Sequence, residues 1–363
     1  MKMTRKDFLQ TVAGVAASAY VPVSSAANPT PKSKIKRGVS FYSYQEEFYT
    51  HAMTLEDCFA EVASMGAEGV QLIAEEAVPD YPTPPESWVR QWHGLMDKYQ
   101  TKPTNLDTFV DVTWGGHRQM TLQETVDTLV AQFKLCSRLG FKVMRPTTGP
   151  VSQAAPEMIE KALPYAEKYD VRIAPEIHAP IPLKGKYIDS YMDLISRTKT
   201  KHLGFTLDMG IFMRRPARVA RDRQIRDGLL KENIARLIEK AHEEGTPKEK
   251  THAEVENMGG GQGDIRYLDS VYSSTAMQNP RDLLPIMPYI YNIHGKFYEM
   301  TEDLHEYSIP YEEIVPVLIE GGYDRYIDSE YEGQRLTQDA FETDSCEQVR
   351  RQHVMLRRLL GEI

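Results

Sequence analysis

Four short apolar runs, from about residue 172 onward, stop on residues that can bind a cation or move a proton. They end as Ala174-Pro175-Glu176-Ile177-His178, Thr206-Leu207-Asp208-Met209-Gly210, Asn292-Ile293-His294-Gly295-Lys296 and Ile327-Asp328-Ser329-Glu330-Tyr331. Glu176, Asp208, His294 and Glu330 together offer three carboxylates and one imidazole. That donor set is hard and oxygen-rich. It suits one divalent cation, Mn²⁺ first, with Mg²⁺ as an alternative and Zn²⁺ less favoured, and leaves positions open for two substrate oxygens. A single Asp or Glu at a strand end is commonly just the cap of the next helix. Four ligand-type residues on four consecutive runs ask for another explanation. With such a cation in place, a C–H next to a carbonyl becomes acidic, because the enediolate left behind is stabilised. A base near neutrality is then the remaining need. His178 is the candidate: it lies two residues beyond Glu176, so an extended backbone puts both on one side. Its bland reading is an imidazole bonded to a backbone carbonyl.

These residues need a scaffold that holds strand ends together. Runs of roughly five to eight apolar residues, rich in β-branched and aromatic types, read as buried strands. Eight occur, at 38–44, 69–74, 103–110, 142–147, 172–178, 203–209, 289–296 and 326–331. Helical periods fall between them, at 85–99, 121–139, 155–169, 187–198, 228–244 and 310–319, with a last helix from about 345. Thr54-Leu55-Glu56-Asp57 opens the first helix with a capping-box signal, and Gly66, Gly140, Gly245 and Gly321-Gly322 stand where helices end. Eight strands alternating with helices predict an α/β fold, a single-domain (β/α)8 TIM barrel over 37–363. Active sites of such barrels lie at the C-terminal strand ends, where the four residues fall. A doubly wound sheet is the alternative, but no Gly-rich phosphate loop follows the first strand. Gly259-Gly260-Gly261-Gln262-Gly263 is read as a mobile loop within an insertion over 246–287.

The chain has 363 residues, with 43 Lys+Arg against 52 Asp+Glu and a formal net charge of −9. That balance disfavours phosphate backbones, so no nucleic-acid partner is expected. Cys58, Cys136 and Cys346 are scattered and form no CxxC metal site. Residues 1–27 differ from the rest. Lys2, Arg5 and Lys6 precede a small apolar run at 11–23, and Ser24-Ser25-Ala26-Ala27 follows. This is the order of a secretory signal peptide, and it predicts an exported, periplasmic protein. Thr4-Arg5-Lys6-Asp7-Phe8-Leu9 resembles the twin-arginine box with Lys6 in place of the second arginine, which leaves a Tat-like or a Sec route open. Residues 28–36 read as a linker. No other stretch reaches about 18 apolar residues, so no membrane anchor is expected.

The order Glu176, Asp208, His294, Glu330 resembles the xylose isomerase-like barrels, a superfamily of sugar (phosphate) isomerases and epimerases and related enzymes. Gly321-Gly322-Tyr323-Asp324 ahead of Ile327-Asp328-Ser329-Glu330 is similar to that superfamily's "GYDG…E" approach to its last ligand, with Arg325 in place of the final glycine. The resemblance implies that the four residues hold one cation, commonly Mn²⁺, Mg²⁺ or Co²⁺, and that Glu330 doubles as an acid/base. Ketose 3-epimerases carry a His three residues after the strand-six Asp; here that position is Ile211. Glu176-Ile177-His178, the stretch from His294 to Met300 and the opening Ser40-Phe41-Tyr42-Ser43-Tyr44-Gln45 are instead similar to C-glycoside deglycosidase large subunits. That likeness implies a 3-keto-glycoside substrate cleaved by a lyase-type step after proton loss at C2. A ketose or aldose would reprotonate to an epimer or isomer. A homo-oligomer or a small partner subunit is compatible with either.

Other polar residues are candidates for holding a carbohydrate. Lys296 could bond a sugar hydroxyl or polarise the carbonyl, or else pair with Glu299 or a ligand carboxylate. Arg145 ends the fourth strand and could take substrate oxygens or form a structural ion pair. Asn105 and Asp107 lie toward the end of the third strand and Gln71 in the second. Trp114, on the loop after the third strand, could stack on a sugar face or pack as a lid. Arg214-Arg215-Pro216-Ala217-Arg218 is a basic run open to an acidic group, with a solvated surface as the default. Two other classes compete: a non-catalytic carbohydrate-binding barrel, and an endonuclease IV-type nuclease, which would need more strand-end histidines and a basic face.

Overall fold

The computed structural model describes residues 33–110, 113–114, 118–147, 155–274 and 278–363. Residues 33–363 form one compact unit. Its strands are β1 (Lys36–Ser40), β2 (Gly69–Ile73), β3 (Lys102–Phe109), β4 (Val143–Thr147), β5 (Arg172–Ile173), β6 (Glu176–Ile177), β7 (Phe205–Asp208), β8 (Ile290–Phe297) and β9 (Tyr326–Tyr331). All nine pair in parallel in the order β5-β4-β3-β2-β1-β9-β8-β7-β6. The two edges, β5 and β6, are one stretch of chain interrupted at Ala174-Pro175. Ile173 bridges to Leu203 and the Thr206 amide donates to the Pro175 carbonyl at 3.1 Å, so the curled sheet meets itself there. Proline lacks the amide that a continuous strand would use, which is why the expected 172–178 strand is broken.

The longer helices are α1 (Leu55–Ser64), α2 (Glu86–Tyr99), α3 (Leu122–Leu139), α4 (Ala155–Tyr169), α5 (Lys186–Thr198), α6 (Arg218–Arg226), α7 (Glu232–Glu243), α8 (Lys248–Asn257), α9 (Gln262–Ser274), α10 (Tyr311–Glu320) and α11 (Ser345–Leu359). The expected capping box opens α1: Asp57 N donates to Thr54 Oγ1 while Thr54 N donates to Asp57 Oδ2. Thr121 and Glu124 form a second one at α3. Gly140 ends α3 with φ of +86°, a conformation that other residues adopt at a cost. Apolar faces of the helices and alternate strand residues share one core that includes Val39, Leu72, Leu106, Phe133, Leu207 and Ile327.

Three boundaries differ from the sequence reading. The first strand stops at Ser40, and Phe41–Tyr44 turn into a 3₁₀ helix with Tyr44 fully buried. The linker expected over 28–36 gives way earlier to the barrel, for Ile35 is buried and Lys36 already belongs to β1. The glycine-rich insertion is helical. α7, α8 and α9 close around their own core of Leu230, Ile234, Ile238, Val255, Leu268 and Val271. Two of its glycines serve close packing: a Cβ on Gly260 would lie 2.5 Å from Val255 Cγ1, and one on Gly263 would lie 1.8 Å from the Leu229 carbonyl oxygen. Asp264 holds the joint by accepting from Gly261 N and Lys231 N, both at 2.8 Å. No helix among the described residues is long and apolar enough to cross a membrane. Residues 1–27, read in the sequence as a signal peptide, lie outside the described residues.

Candidate metal centre and active site

The sheet register brings the four strand-end residues together. Glu176 pairs in register with Thr206, two residues before Asp208; Asp208 pairs with His294; His294 pairs with Asp328, two residues before Glu330. The ligand positions therefore climb four residues in register over three strand steps. Barrel strands tilt, and an eight-stranded barrel needs a stagger of about one residue per strand to keep side chains at one height. The climb is what makes three different ladder levels one layer of side chains.

His294 is fully buried at the centre. Its Nδ1 lies 2.7 Å from Glu176 Oε1 and 3.4 Å from Glu330 Oε1. Nδ1 nevertheless has no aligned hydrogen-bond partner, and neither does the buried Glu330 Oε2. Atoms that crowd together without bonding one another converge on a common point, as ligand atoms do. Glu176, Asp208 and His294 place a ligand atom each within 4.8 Å of the others, and so do Asp107, His294 and Glu330. The residues present fit a divalent cation: one imidazole nitrogen and carboxylate oxygens, with hard-cation character.

Charge in this layer is dense. Burial disfavours a charged His294, but Glu330, Asp107 and Glu176 outweigh it and raise its pKa well above the usual range. Burial also pushes Glu176 up; Arg145 and His294 reverse the sign and hold it well below the ordinary carboxylate range. For Glu330 burial wins, and its carboxyl is pushed up to about 7 against the pull of His294 and Lys296. Lys296 is nearly buried, yet Asp208, Glu330 and Glu332 keep it protonated far above its normal range. Its Nζ lies 2.6 Å from Asp208 Oδ2, 3.2 Å from Glu332 Oε1 and 3.5 Å from Glu330 Oε2. Of the two pairings open to it in the sequence, the structure forms the one with a ligand carboxylate; Glu299 pairs with Arg218 instead.

The other candidates divide. His178 is exposed at the mouth and lines a cleft of about 310 Å³ with Asp208, Lys296, Tyr298 and Glu332. Gln71, Asn105 and Arg145 all turn to one carboxylate, Asp107. Gln71 Nε2 donates to Asp107 Oδ2 at 2.6 Å and lies 2.9 Å from His294 Nε2; Asn105 Nδ2 donates to Asp107 Oδ1 at 2.7 Å; Arg145 Nη2 donates to Oδ2 at 2.9 Å. Gln71 and Asn105 are fully buried, so they line the floor that carries His294 instead of reaching into the cleft. Arg145 forms the structural ion pair, although its buried Nε keeps no hydrogen-bond partner and lies 3.8 Å from Glu176 Oε2. Trp114 belongs to a two-residue antiparallel ladder, Thr113–Trp114 with Arg118–Gln119; its side chain lies outside the described residues. Asp107, read in the sequence as a substrate-binding candidate, is instead the hub of these three bonds, and Glu332 as a third carboxylate on Lys296 was not singled out. Alternation gives both a signal, since Asp107 is two residues from Asn105 and Glu332 two from Glu330.

A family profile for the xylose isomerase-like TIM barrel matches residues 59–352. The chain belongs to the xylose isomerase-like TIM barrel family. Within this family, a C-glycoside deglycosidase alpha subunit of Arthrobacter globiformis is 28% identical over 336 residues, covering 91% of this chain and 94% of that protein. A 3′-dehydrocarminate deglycosidase alpha subunit of a Microbacterium species is 26% identical over 342 residues, covering 90% and 95%. Among solved structures, a sugar phosphate isomerase/epimerase from Parabacteroides distasonis superposes with a TM-score of 0.54 at 12% identity, covering 93% of this chain and 98% of that one. An L-ribulose 3-epimerase superposes with a TM-score of 0.53 at 10% identity, covering 90% and 95%. The structural likenesses establish the barrel. The relatives that match across nearly the whole chain are subunits of enzymes.

Proposed function

We propose that this chain is a divalent-metal-dependent, sugar-processing enzyme that enolises a keto-sugar, and that its substrate is a 3-keto-glycoside cleaved by elimination at C1. The observation that carries this reading is a pair of clusters that share His294, one with Glu176 and Asp208 and one with Asp107 and Glu330, beneath a cleft that also holds His178 and Lys296. Glu176, Asp208, His294 and Glu330 would hold the cation, Mn²⁺ by preference, which when bound supplies Lewis-acid stabilisation of a developing enolate. A ring nitrogen of His178 takes the proton from C2. The C–H electron pair becomes the C2–C3 double bond of the enolate, and the charge passes to the C3 oxygen. Lys296 Nζ, already held among carboxylates at the cleft floor, donates a hydrogen bond to that oxygen. Return of the pair to C1–C2 restores the C3 carbonyl and breaks the bond to the C1 substituent, which leaves with a proton. Glu330 is the acid/base proposed for that last transfer.

The deglycosidase names of the relatives support this reading over sugar epimerisation, as does Ile211. It occupies the position of an epimerase-type imidazole and is buried in the core. The alpha-subunit names also support a partner subunit. Export through a leader at 1–27 is proposed from the sequence pattern alone. The deciding experiment incubates the Mn²⁺-loaded chain with 3-keto-glucosides in D₂O and follows C2 by NMR. Deuterium at C2 of the recovered substrate, together with release of the C1 substituent, is expected. A metal-loaded chain that neither exchanges the α-proton of 3-keto-glucosides or common ketoses nor releases the C1 substituent refutes enolisation.

A further inference from the structure

Between the barrel and the helical insertion lies a second cavity, of about 490 Å³. Its walls come from the loop after β7 (Arg214, Arg215), the loop after β8 (His305, Tyr307) and the end of α7 (His242). The sequence around the first wall is crowded with arginines, and the structure gives nearly all of them carboxylate partners. Arg214 pairs with Glu313, Arg218 with Glu299 at 2.5 Å, Arg221 with Glu239 at 2.9 Å, Arg223 with Asp227 at 2.8 Å and Arg226 with Asp339 at 2.8 Å. Arg215 differs. Among the described residues it has no carboxylate partner. Its Nε donates to the Tyr307 carbonyl at 2.6 Å, and its guanidinium lies 3.7 Å from the centroid of the Tyr307 ring.

Those two contacts fix the guanidinium and use only one of its nitrogens. The two terminal nitrogens remain, in the planar fork that matches two oxygens of a carboxylate or phosphate. Orientation costs little further entropy, because stacking on Tyr307 has already been made. Two of the three acidic groups on the same walls are committed elsewhere; the third, Glu243, stands beside His242 at the end of α7. Glu312 accepts from His305, and Glu306 accepts from the backbone amides of Tyr298, Ser308 and Ile309. An unpaired arginine held flat in a roomy cavity is unusual in a chain of net charge −9.

We propose that this cavity binds the oxyanion end of a small molecule, a carboxylate or phosphate gripped by the fork of Arg215. The site is separate from the metal centre. Met213, just before the arginine pair, lines the catalytic cleft, while Arg214 and Arg215 line this one.

The test is calorimetric titration of the full chain, Mg²⁺-loaded and at fixed ionic strength. The probes are D-glucuronate for the carboxylate source and inorganic phosphate for the other, with uncharged D-glucose as control. Saturable binding of either anion, weakened about 10- to 100-fold by Arg215→Ala and unchanged by Arg236→Ala on the outer face of α7, is expected. Arg215→Lys keeps the charge but loses the fork, and should weaken binding by a smaller factor. It also serves should the alanine variant fail to fold. Absence of binding by both anions, or equal binding by wild type and the Arg215 variants, overturns the proposal.

Discussion

Lys296 Nζ lies 2.6 Å from Asp208 Oδ2, so a buried ammonium rests on a carboxylate of the proposed metal-ligand set. The other oxygen, Oδ1, accepts from Gly210 N at 2.6 Å. Asp208 is thus held from both sides, and a divalent cation must share it with Lys296. The ammonium repels the cation electrostatically while it remains positioned for the developing enolate oxygen. Lys296→Met should therefore tighten Mn²⁺ binding, by about tenfold for ~1.4 kcal/mol of repulsion removed, while lowering kcat by about 10²–10³. Calorimetric Mn²⁺ titration beside steady-state kinetics checks the opposite signs; weaker metal binding in the variant would refute this role.

Asp208→Ala and His294→Ala should each lose the stoichiometric cation. The fold should survive both, because the surrounding core is apolar and continuous and does not depend on the layer. Metal content after dialysis, with circular dichroism on the same samples, provides the readout. Full occupancy in either variant would remove that residue from the ligand set.

His178 is exposed at the cleft mouth, so His178→Ala should leave melting temperature and metal content near wild type. If its imidazole is the base, kcat falls by about 10²–10⁴ and exchange of the substrate's α-proton with D₂O stops. Wild-type exchange rates in the variant would pass the role to Glu330.

Much of this layout was legible in the sequence because period and position carry it. Strand runs ending on Glu176, Asp208, His294 and Glu330 place those residues at one end of a barrel without any tertiary information. The partners of Gln71, Asn105 and Arg145 were not legible. Their side chains meet only where β2, β3 and β4 lie side by side, and a polar residue near a strand end reads the same whether it faces substrate or a buried carboxylate. The Gly259–Gly263 stretch misled for a related reason. Glycine marks both loose chain and close approach, and the contact of Gly263 with the Leu229 carbonyl is a tertiary fact.

Glu306 gives the fold a pH dependence. Burial pushes its carboxyl up to about 7, against hydrogen bonds from the amides of Ile309, Tyr298 and Ser308. The folded value exceeds the unfolded one, so the folded state holds the proton more tightly. Stability from this residue is complete below about pH 4.5 and declines as pH rises to about 7, by ~3 kcal/mol at most. Glu306→Gln cannot ionise, so the stability difference between wild type and variant should shift in the variant's favour between pH 5 and pH 7.5. Urea unfolding at the two pH values measures it; a difference independent of pH would show that Glu306 is ionised throughout.

Asp107 carries the heaviest structural load in the site. Three side chains donate to it, among them Arg145, whose side chain is only 9% exposed. Asp107→Ala would leave that guanidinium buried with the Thr147 hydroxyl and, as its remaining ion-pair partner among the described residues, Glu176 at 3.8 Å. Removing one partner of a buried pair costs about 3–5 kcal/mol, far more than the pair's net worth. The melting temperature should therefore drop by several degrees or more. Arg145 should then be drawn toward Glu176, so Mn²⁺ binding should weaken as well, although Asp107 is not one of the four proposed ligands. Pairing Asp107→Ala with Arg145→Met separates the two effects. The double variant removes the stranded charge and should recover much of the lost stability. A double variant as unstable as the single one would mean that Asp107 acts through Gln71 and His294 rather than through Arg145.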